Sequence, residues 1–543
     1  MSNETPQLDL QKHTILRQQP ISAFAGAQYL MGLQVFVRLA TFSTNAIVVK
    51  LTGLTAFGVA SVKFELLLST ILFLSREGVR NALLRVKGGD ANQKPSVREQ
   101  RLINAALVPI ITGAILAGAL YTIYGKGVIG SVPYYAESLT IYVLAAWVEL
   151  LVEPLYVLSR ARVLFQLQAR GDAAAVTARC VVVALTLIAG SKDSDGENEF
   201  RLLALALGQL GYAVALLFSY AWLMRAHLGY SLLYCYKPQH VLVDSTSVYI
   251  DQHTRSLAVT FFGQSLLKHL LTQGDSMVMA QFAIDRDMGV YAIVSSYASI
   301  PARVLFLPLE EAARTVFAQS DAPTTLYMLT ALTKLQSLLG CIFCVFGSLY
   351  APVFLQLVGQ SDPIIARTLS VYFMYLPLLG LNGFLEAFTH STATRQQLGW
   401  VNMWMVGCSA AYIMLSVIML DSWNMGSLGM VLANMLNMSL RICYCCWFAY
   451  KWLKAHKQAL PKLSSLTPHP AVILTSSFAA ALSIAAINCF TITTTLACLV
   501  LMLFGSVLGL AVLVSIWRFE QPFIRVAMEL RSGKVSFDKM KSN

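Results

Sequence analysis

The chain has 543 residues, of which 56% are hydrophobic and only 13% charged, about half the charged share of a soluble domain. Water is therefore excluded as its main solvent. Apolar runs of roughly 20 residues, each enough to cross a hydrocarbon core of about 30 Å as a helix, recur along nearly the whole length, where an outer-membrane barrel would show shorter alternating segments.

In chain order, the polar stretch Met1 to Gln19 leads into an apolar segment from about Ile21 to Val49. That segment is too long for the apolar core of a cleavable signal and is expected to stay as the first helix. Helices are predicted at about 24 to 49, 56 to 74, 102 to 123, 137 to 158, 173 to 190, 202 to 224, 256 to 283, 288 to 309, 326 to 349, 364 to 388, 400 to 420, 427 to 450, 470 to 490 and 494 to 517. The fold expected is all-α and polytopic, with 14 transmembrane helices. They divide into an N-lobe over 1–225, an inter-lobe loop over 226–255, a C-lobe over 256–460, two added helices over 461–517 and a basic tail over 518–543.

An even number of spans puts both termini on one side, and basic residues say which. The termini and the loops sharing their side hold 27 of the 40 Lys and Arg, against five in the opposite loops. Basic residues are retained in the cytosol, so both ends are expected to be cytosolic. The net charge of +12 then reflects topology, and nucleic acid is not an expected partner. The loop from Ser75 to Arg101 is read as a solvated basic loop or a short interfacial helix.

Nine of the ten cysteines fall inside apolar runs and Cys235 in a loop, so no disulfide framework is expected. Cys341-x-x-Cys344, in an apolar helix without a second Cys or His pair, is read as packing, and no metal site is expected. Neither Asn3-Glu-Thr, in the cytosolic tail, nor Asn437-Met-Ser, in a helix, is expected to be glycosylated. With no Walker A sequence, H-E-x-x-H, G-x-S-x-G or dinucleotide fingerprint in the chain, no cofactor and no enzymatic activity are expected.

A charged side chain inside a span costs about 2.5–3.5 kcal/mol to insert and is a functional candidate by default. The first helix carries Gln34, Arg38 and Asn45 on one face. The second carries Lys63 and Glu65, about 200° apart. Lys268 and Asp275 lie seven residues apart on the seventh, and Arg303 lies about two turns before Glu310 and Glu311 on the eighth. These cavity candidates carry an excess of cations, which suits a phosphate or pyrophosphate that arginine can bind bidentately. Glu149 and Glu153 are one turn apart before Pro154, and an ion pair with Arg160 or Arg179 is expected for them over proton binding. Asn382 with Glu386, and Asn434 with Asn437 and Arg441, make polar faces suited to helix-to-helix hydrogen bonds.

A weak internal repeat aligns TFSTNAIVVKLTGLTAFG (from Thr41) with TQGDSMVMAQFAIDRDMG (from Thr272), and FLSREGVRNAL (from Phe73) with FLPLEEAARTV (from Phe306). Arg38 falls opposite His269. Its offset of about 231 residues divides the chain into six helices plus six with two added, and such halves flanking a central cavity are a transporter architecture.

Seven segments carry a family resemblance: VFVRLATFSTNAIVVK (from Val35), FLSREGVRNALL (from Phe73), VELLVEPLYVL (from Val148), FFGQSLLKHLLTQGDSMVM (from Phe261), GVYAIVSSYASIPARVLFLPLEEA (from Gly289), LNGFLEAFT (from Leu381) and SLGMVLANMLNMSLRI (from Ser427). They resemble the Rft family of endoplasmic-reticulum membrane proteins, in the multidrug, oligosaccharidyl-lipid and polysaccharide exporter superfamily. The resemblance implies two six-helix lobes plus two helices, facing a cavity lined chiefly by helices one, two, seven and eight. It also implies flipping of a dolichol-diphosphate oligosaccharide from the cytosolic to the lumenal leaflet for protein N-glycosylation. The partners implied are that lipid, the surrounding membrane lipids and the N-glycosylation machinery. Arg38, Gln34, Asn45, Lys63, Glu65, Lys268, Asp275 and Arg303 are then the cavity residues. Arg76, Glu77, Arg80, Glu149, Glu153, Glu310, Glu311, Asn382, Glu386 and Arg441 take structural or gating roles. The competing reading is a non-transporting accessory or lipid-binding scaffold that supports the same lipid supply.

Overall fold

The structure, a computed structural model, describes residues 52–86, 95–125, 133–162, 164–190, 200–228, 232–243, 246–490 and 494–521. The first expected helix, with Gln34, Arg38 and Asn45, lies outside the described residues, as does the tail beyond 521. In hydrocarbon every backbone N–H and C=O must be satisfied within its own segment, so apolar runs of this length fold as helices. Among the described residues, twelve helical stretches are long and apolar enough to cross a bilayer. Each coincides with a predicted span.

The N-terminal unit, Met1–Gln273, contains α1 (Glu65–Val86), α2 (Pro95–Ala106), α3 (Val108–Gly125), α4 (Tyr135–Leu150), α5 (Glu153–Ala161), α6 (Phe165–Ala189), α7 (Arg201–Leu228), the short α8 (Leu232–Cys235) and a hairpin of β1 (Val241–Val243) and β2 (Thr246–Val248). Helix α9 (Gln252–Phe282) follows, and the division between the two compact units falls within it. It corresponds to the predicted seventh span and is long enough to cross, but Lys268, His269, Gln273 and Asp275 near its middle leave it out of the twelve apolar stretches. The C-terminal unit, Gly274–Asn543, continues with α10 (Asp285–Pro301), α11 (Leu307–Gln319), α12 (Ala322–Ile342), α13 (Ser348–Val358), α14 (Pro363–Thr392), α15 (Arg395–Val417), α16 (Gly426–Ala455), the short α17 (Leu463–Leu466), α18 (Pro470–Cys489) and α19 (Thr495–Phe519).

Each unit has its own core. In the first, Ile103, Val152, Leu155, Leu216 and Tyr220 pack together. In the second, Phe317, Leu329, Phe384, Phe388 and Phe448 do so, while Tyr350 and Val353 of α13 pack on Cys498 and Leu501 of α19. Large apolar side chains such as Ile188 and Leu496 are exposed, as lipid-facing positions should be. Helix α19 is further fixed by Glu520, 2% exposed, which pairs with Lys334 Nζ at 2.7 Å and accepts the His469 backbone N–H at 2.7 Å.

Close helix approach depends on small residues. A Cβ at Gly208 on α7 would lie 2.3 Å from Val183 Cγ2 on α6. Gly208→Val is expected to destabilise the N-terminal unit by about 1–3 kcal/mol, the usual cost of overpacking. The check is a lowered melting midpoint in detergent; an unchanged midpoint would show that α6 and α7 separate without cost.

Two stretches between predicted spans carry regular structure among their described residues. The Ser75 to Arg101 segment is helical as far as Val86 and again from Pro95, because its charges have partners on neighbouring helices. Between 226 and 255, the hairpin is tied down by Asn104, whose Nδ2 donates to Gln239 O at 2.7 Å and Tyr249 O at 2.9 Å. Gln100 Nε2 donates to Lys237 O at 2.9 Å. Beside it, burial pushes the Cys235 thiol up to about 11, so this cysteine stays protonated and inert.

Asp251 closes the segment. Its carboxylate accepts from the Thr254 hydroxyl at 2.7 Å and amide at 3.0 Å, and pairs with Arg101 Nη2 at 3.0 Å. Burial alone would raise this carboxyl, but the Thr254 bonds and the Arg101 guanidinium outweigh it and hold it below the usual range. A depressed folded-state pKa stabilises fully above the ordinary carboxylate value of about 3.9, and the contribution fades as pH falls through that value towards the lower one. Asp251→Asn is therefore expected to cost about 1.5–3 kcal/mol at neutral pH. The gap to wild type in melting midpoint should narrow as the pH drops below about 4; a gap independent of pH would contradict the assignment.

Candidate functional site

In the N-terminal unit, a ladder of ion pairs runs between α1 and the α4–α5 segment. Arg76 Nη1 donates to Glu149 Oε1 at 3.0 Å. One turn on, Arg80 grips Glu153 with two bonds, Nε to Oε1 at 2.5 Å and Nη2 to Oε2 at 2.6 Å. Its guanidinium also lies 3.9 Å from the centroid of the Tyr156 ring. The spacing explains the match: residues four apart on each helix share a face, so two arginines meet two glutamates in register. Glu153 is 1% exposed and Glu149 8%, so each carboxylate depends on its partner. The expected partners, Arg160 and Arg179, are not the ones found. Arg160 instead donates to the Tyr156 hydroxyl at 2.6 Å.

Beside the first rung lies a cavity of about 340 Å³, lined by Glu65, Ser69 and Arg76 of α1, Glu149 of α4, Arg179 of α6, Gln209 and Tyr212 of α7, and His269, Thr272 and Gln273 of α9, together with apolar Leu68, Leu72 and Phe73. Both charges are represented, with two carboxylates and two guanidiniums among amides and hydroxyls. At about 30 Å³ per water it has room for roughly ten. His269 is buried, 2.8 Å from the Thr70 hydroxyl and stacked on Phe73.

The residues predicted on α9 separate. Lys268 Nζ lies 3.5 Å from Glu77 Oε1 with its side chain 64% exposed, a loose contact, and 5.4 Å from the Phe73 centroid. Asp275, seven residues on, instead accepts from the Tyr291 hydroxyl of α10 at 2.9 Å and from the Ser276 backbone N–H at 2.9 Å. Lys63 sits in a π-helical turn, Val59–Phe64, that leads into α1; Glu65 opens that helix and reaches the cavity.

In the C-terminal unit, Arg303 occupies a second π-helical turn, Ala302–Phe306, between α10 and α11. Pro301 and Pro308, which lack an N–H, flank it. Its side chain is exposed, and among the described residues no carboxylate lies within ion-pair distance of it. Glu310 pairs with Arg314 Nη2 at 2.6 Å and approaches α14 where Gly383 has no side chain. The side chain of Glu311 is outside what is described. Asn382 is buried, and Glu386, on the same face of α14, forms an ion pair with Arg441 of α16. The two polar faces read separately along the sequence thus meet through one ion pair, while the amide oxygens of Asn382 and Asn437 are buried without a hydrogen-bond partner among the described residues.

Gln209, Tyr212 and Arg179 were not singled out as cavity residues. Each is a single polar group in an apolar span; the insertion cost of Arg179 was the available signal, while Gln209 and Tyr212 show no periodic pattern.

A model of the family described as Rft protein matches residues 22–530. A protein of Yarrowia lipolytica called Man(5)GlcNAc(2)-PP-dolichol translocation protein RFT1 is 29% identical over 528 residues, covering 88% of this chain and 76% of its own. Among solved structures, the lipid II flippase MurJ in an inward closed conformation superposes with a TM-score of 0.60 at 12% identity, over 90% of this chain and 98% of its own. An inward-facing multidrug resistance MATE family transporter of the MOP superfamily gives 0.53 at 12% identity, over 78% and 95%. At such identity these two likenesses concern the fold alone.

Proposed function

This chain belongs to the Rft protein family, and on that premise we propose that it translocates a dolichol-diphosphate-linked oligosaccharide between the leaflets of the endoplasmic-reticulum membrane, from the cytosolic to the lumenal side. The single observation that carries the reading is the family match over nearly the whole chain, supported by curated relatives named for translocation of Man(5)GlcNAc(2)-PP-dolichol. The chain is a multi-pass membrane protein. The 27-to-5 division of basic residues supports cytosolic termini, and the enzymes that build and use the lipid are its proposed neighbours.

The chemistry asked of it is the passage of two phosphates through hydrocarbon, where an unpaired charge is very costly. Cations that keep a hydration shell or a weak partner can supply that pairing; cations locked to buried carboxylates cannot. Arg76 and Arg80 are locked. Lys268 in the first unit, held loosely by Glu77, and Arg303 in the second are the groups that can exchange their surroundings for phosphate oxygens. Arg38, outside the described residues, is proposed to act with them. The polar N-lobe cavity keeps water near Glu65 and Arg179 and offers hydroxyl and amide partners to sugars. No bond is made or broken in this reading, so no enzymatic step is required.

Sealed microsomes test it. Cells depleted of the chain should leave the lipid-linked oligosaccharide facing the cytosol, where an added endoglycosidase that cannot cross the membrane removes it. An unchanged protected fraction would count against the proposal.

A further inference from the structure

We propose that a groove between α15 and α16 binds the head group of an anionic glycerophospholipid. Its volume is about 620 Å³, and Trp400, Tyr444, Trp447, Lys451, Trp452 and His456 form most of its wall. The groove lies where α15 begins and α16 ends, at one end of two apolar spans, which is the depth of lipid head groups. Trp400 is 63% exposed and Trp447 49%, as amphipathic rings at a membrane interface are.

Two of the rings are already faced by positive or protonatable groups. Lys451 Nζ sits 3.8 Å from the centroid of the Trp447 ring, and the His456 ring stacks 4.1 Å from that of Trp452. An ammonium held over an indole keeps its three N–H donors for a further acceptor. The groove therefore presents a cationic donor held over an aromatic wall, an arrangement suited to a phosphate. Lys451, Lys454 and Lys457 are all exposed, and among the described residues none has a carboxylate partner. Below them, exposed Met403 and Val406 of α15 offer an apolar track for acyl chains. Charge complementarity therefore selects an anionic lipid over a neutral one, independently of whether the chain moves the oligosaccharide lipid.

The test is native mass spectrometry of the purified full-length chain, titrated in micelles with dioleoylphosphatidylserine, with dioleoylphosphatidylcholine, or with glycerol 3-phosphate. A saturable phosphatidylserine adduct is expected, with phosphatidylcholine retained at least fivefold more weakly. Lys451→Gln and Lys451→Met, which remove the one lysine lining the groove, should each weaken it about fivefold, the scale of one lysine near an anionic surface, while Lys462→Gln, outside the groove, should leave it unchanged. Melting midpoints equal to wild type show that the variants fold, and should Lys451→Gln fail to fold, Lys451→Met alone decides. Equal retention of the two lipids, or an equal loss in Lys462→Gln, overturns the proposal. Displacement of the adduct by glycerol 3-phosphate would instead identify a soluble phosphate as the ligand and overturn the lipid assignment.

Discussion

Arg303→Gln is expected to slow translocation of the oligosaccharide lipid by about 10- to 100-fold without lowering the melting midpoint. Hydrogen bonds to a charged group are worth about 1.5–3 kcal/mol, and a phosphate that loses its guanidinium loses that much stabilisation during passage. Stability should hold because no carboxylate among the described residues pairs with Arg303, so its removal strands no partner. A neutral side chain in this span, Asp285–Glu310, also avoids an insertion cost of about 2.5–3.5 kcal/mol. Arg303→Lys should be intermediate, since lysine keeps the charge but not the fork. Slowed translocation together with a large fall in melting midpoint would instead mark Arg303 as a packing residue.

The opposite signature is expected one lobe away. Arg80→Ala should destabilise the N-terminal unit by about 3–5 kcal/mol, because it leaves Glu153, 1% exposed, as an unpaired buried carboxylate. Glu153→Ala should cost about as much by stranding Arg80. The double replacement Arg80→Met with Glu153→Leu removes both charges and should recover most of the loss, since well-packed apolar groups often match a buried pair. Melting midpoints in detergent read all three. A double variant no better than the singles would mean that the pair is not the dominant interaction between α1 and α5.

These two signatures separate cations that hold the lobe together from cations free to meet a substrate. Along the chain Arg303 reads as an intramembrane arginine and Arg80 as part of a loop, whereas the structure puts both on helical stretches long enough to span a bilayer, and their surroundings distinguish them. Arg80 has a bidentate acid and an aromatic face. Arg303 has a widened helical turn between two prolines.

Hydrophobic run length was enough to find the helices, because in lipid a segment either pairs its own backbone or does not insert. Each predicted span that falls among the described residues is helical there. The extension of α1 to Val86 was legible only as one of two readings, since Arg76, Glu77 and Arg80 suit the start of a solvated loop as well as a short interfacial helix. Their partners lie far along the chain, with Glu153 73 positions beyond Arg80, and no local pattern shows such a contact. For the same reason the partners expected for Glu149 and Glu153, Arg160 and Arg179, are arginines downstream within the next 30 residues, whereas the partners found lie 73 positions upstream. Lys268 and Asp275 share a stripe on α9, as their spacing says, yet turn to Glu77 and Tyr291 respectively. Periodicity gives the face of a helix but not what the face meets.

Leaflet exchange in proteoliposomes tests the central claim most directly. Vesicles containing the purified chain and a dolichol-diphosphate oligosaccharide should expose the lipid to an external probe at a rate that rises with the amount of protein, and Arg303→Gln should remove most of that rise. Exchange equally fast in vesicles lacking the protein, or absent with it, would contradict translocation by this chain and leave it an accessory of the same pathway.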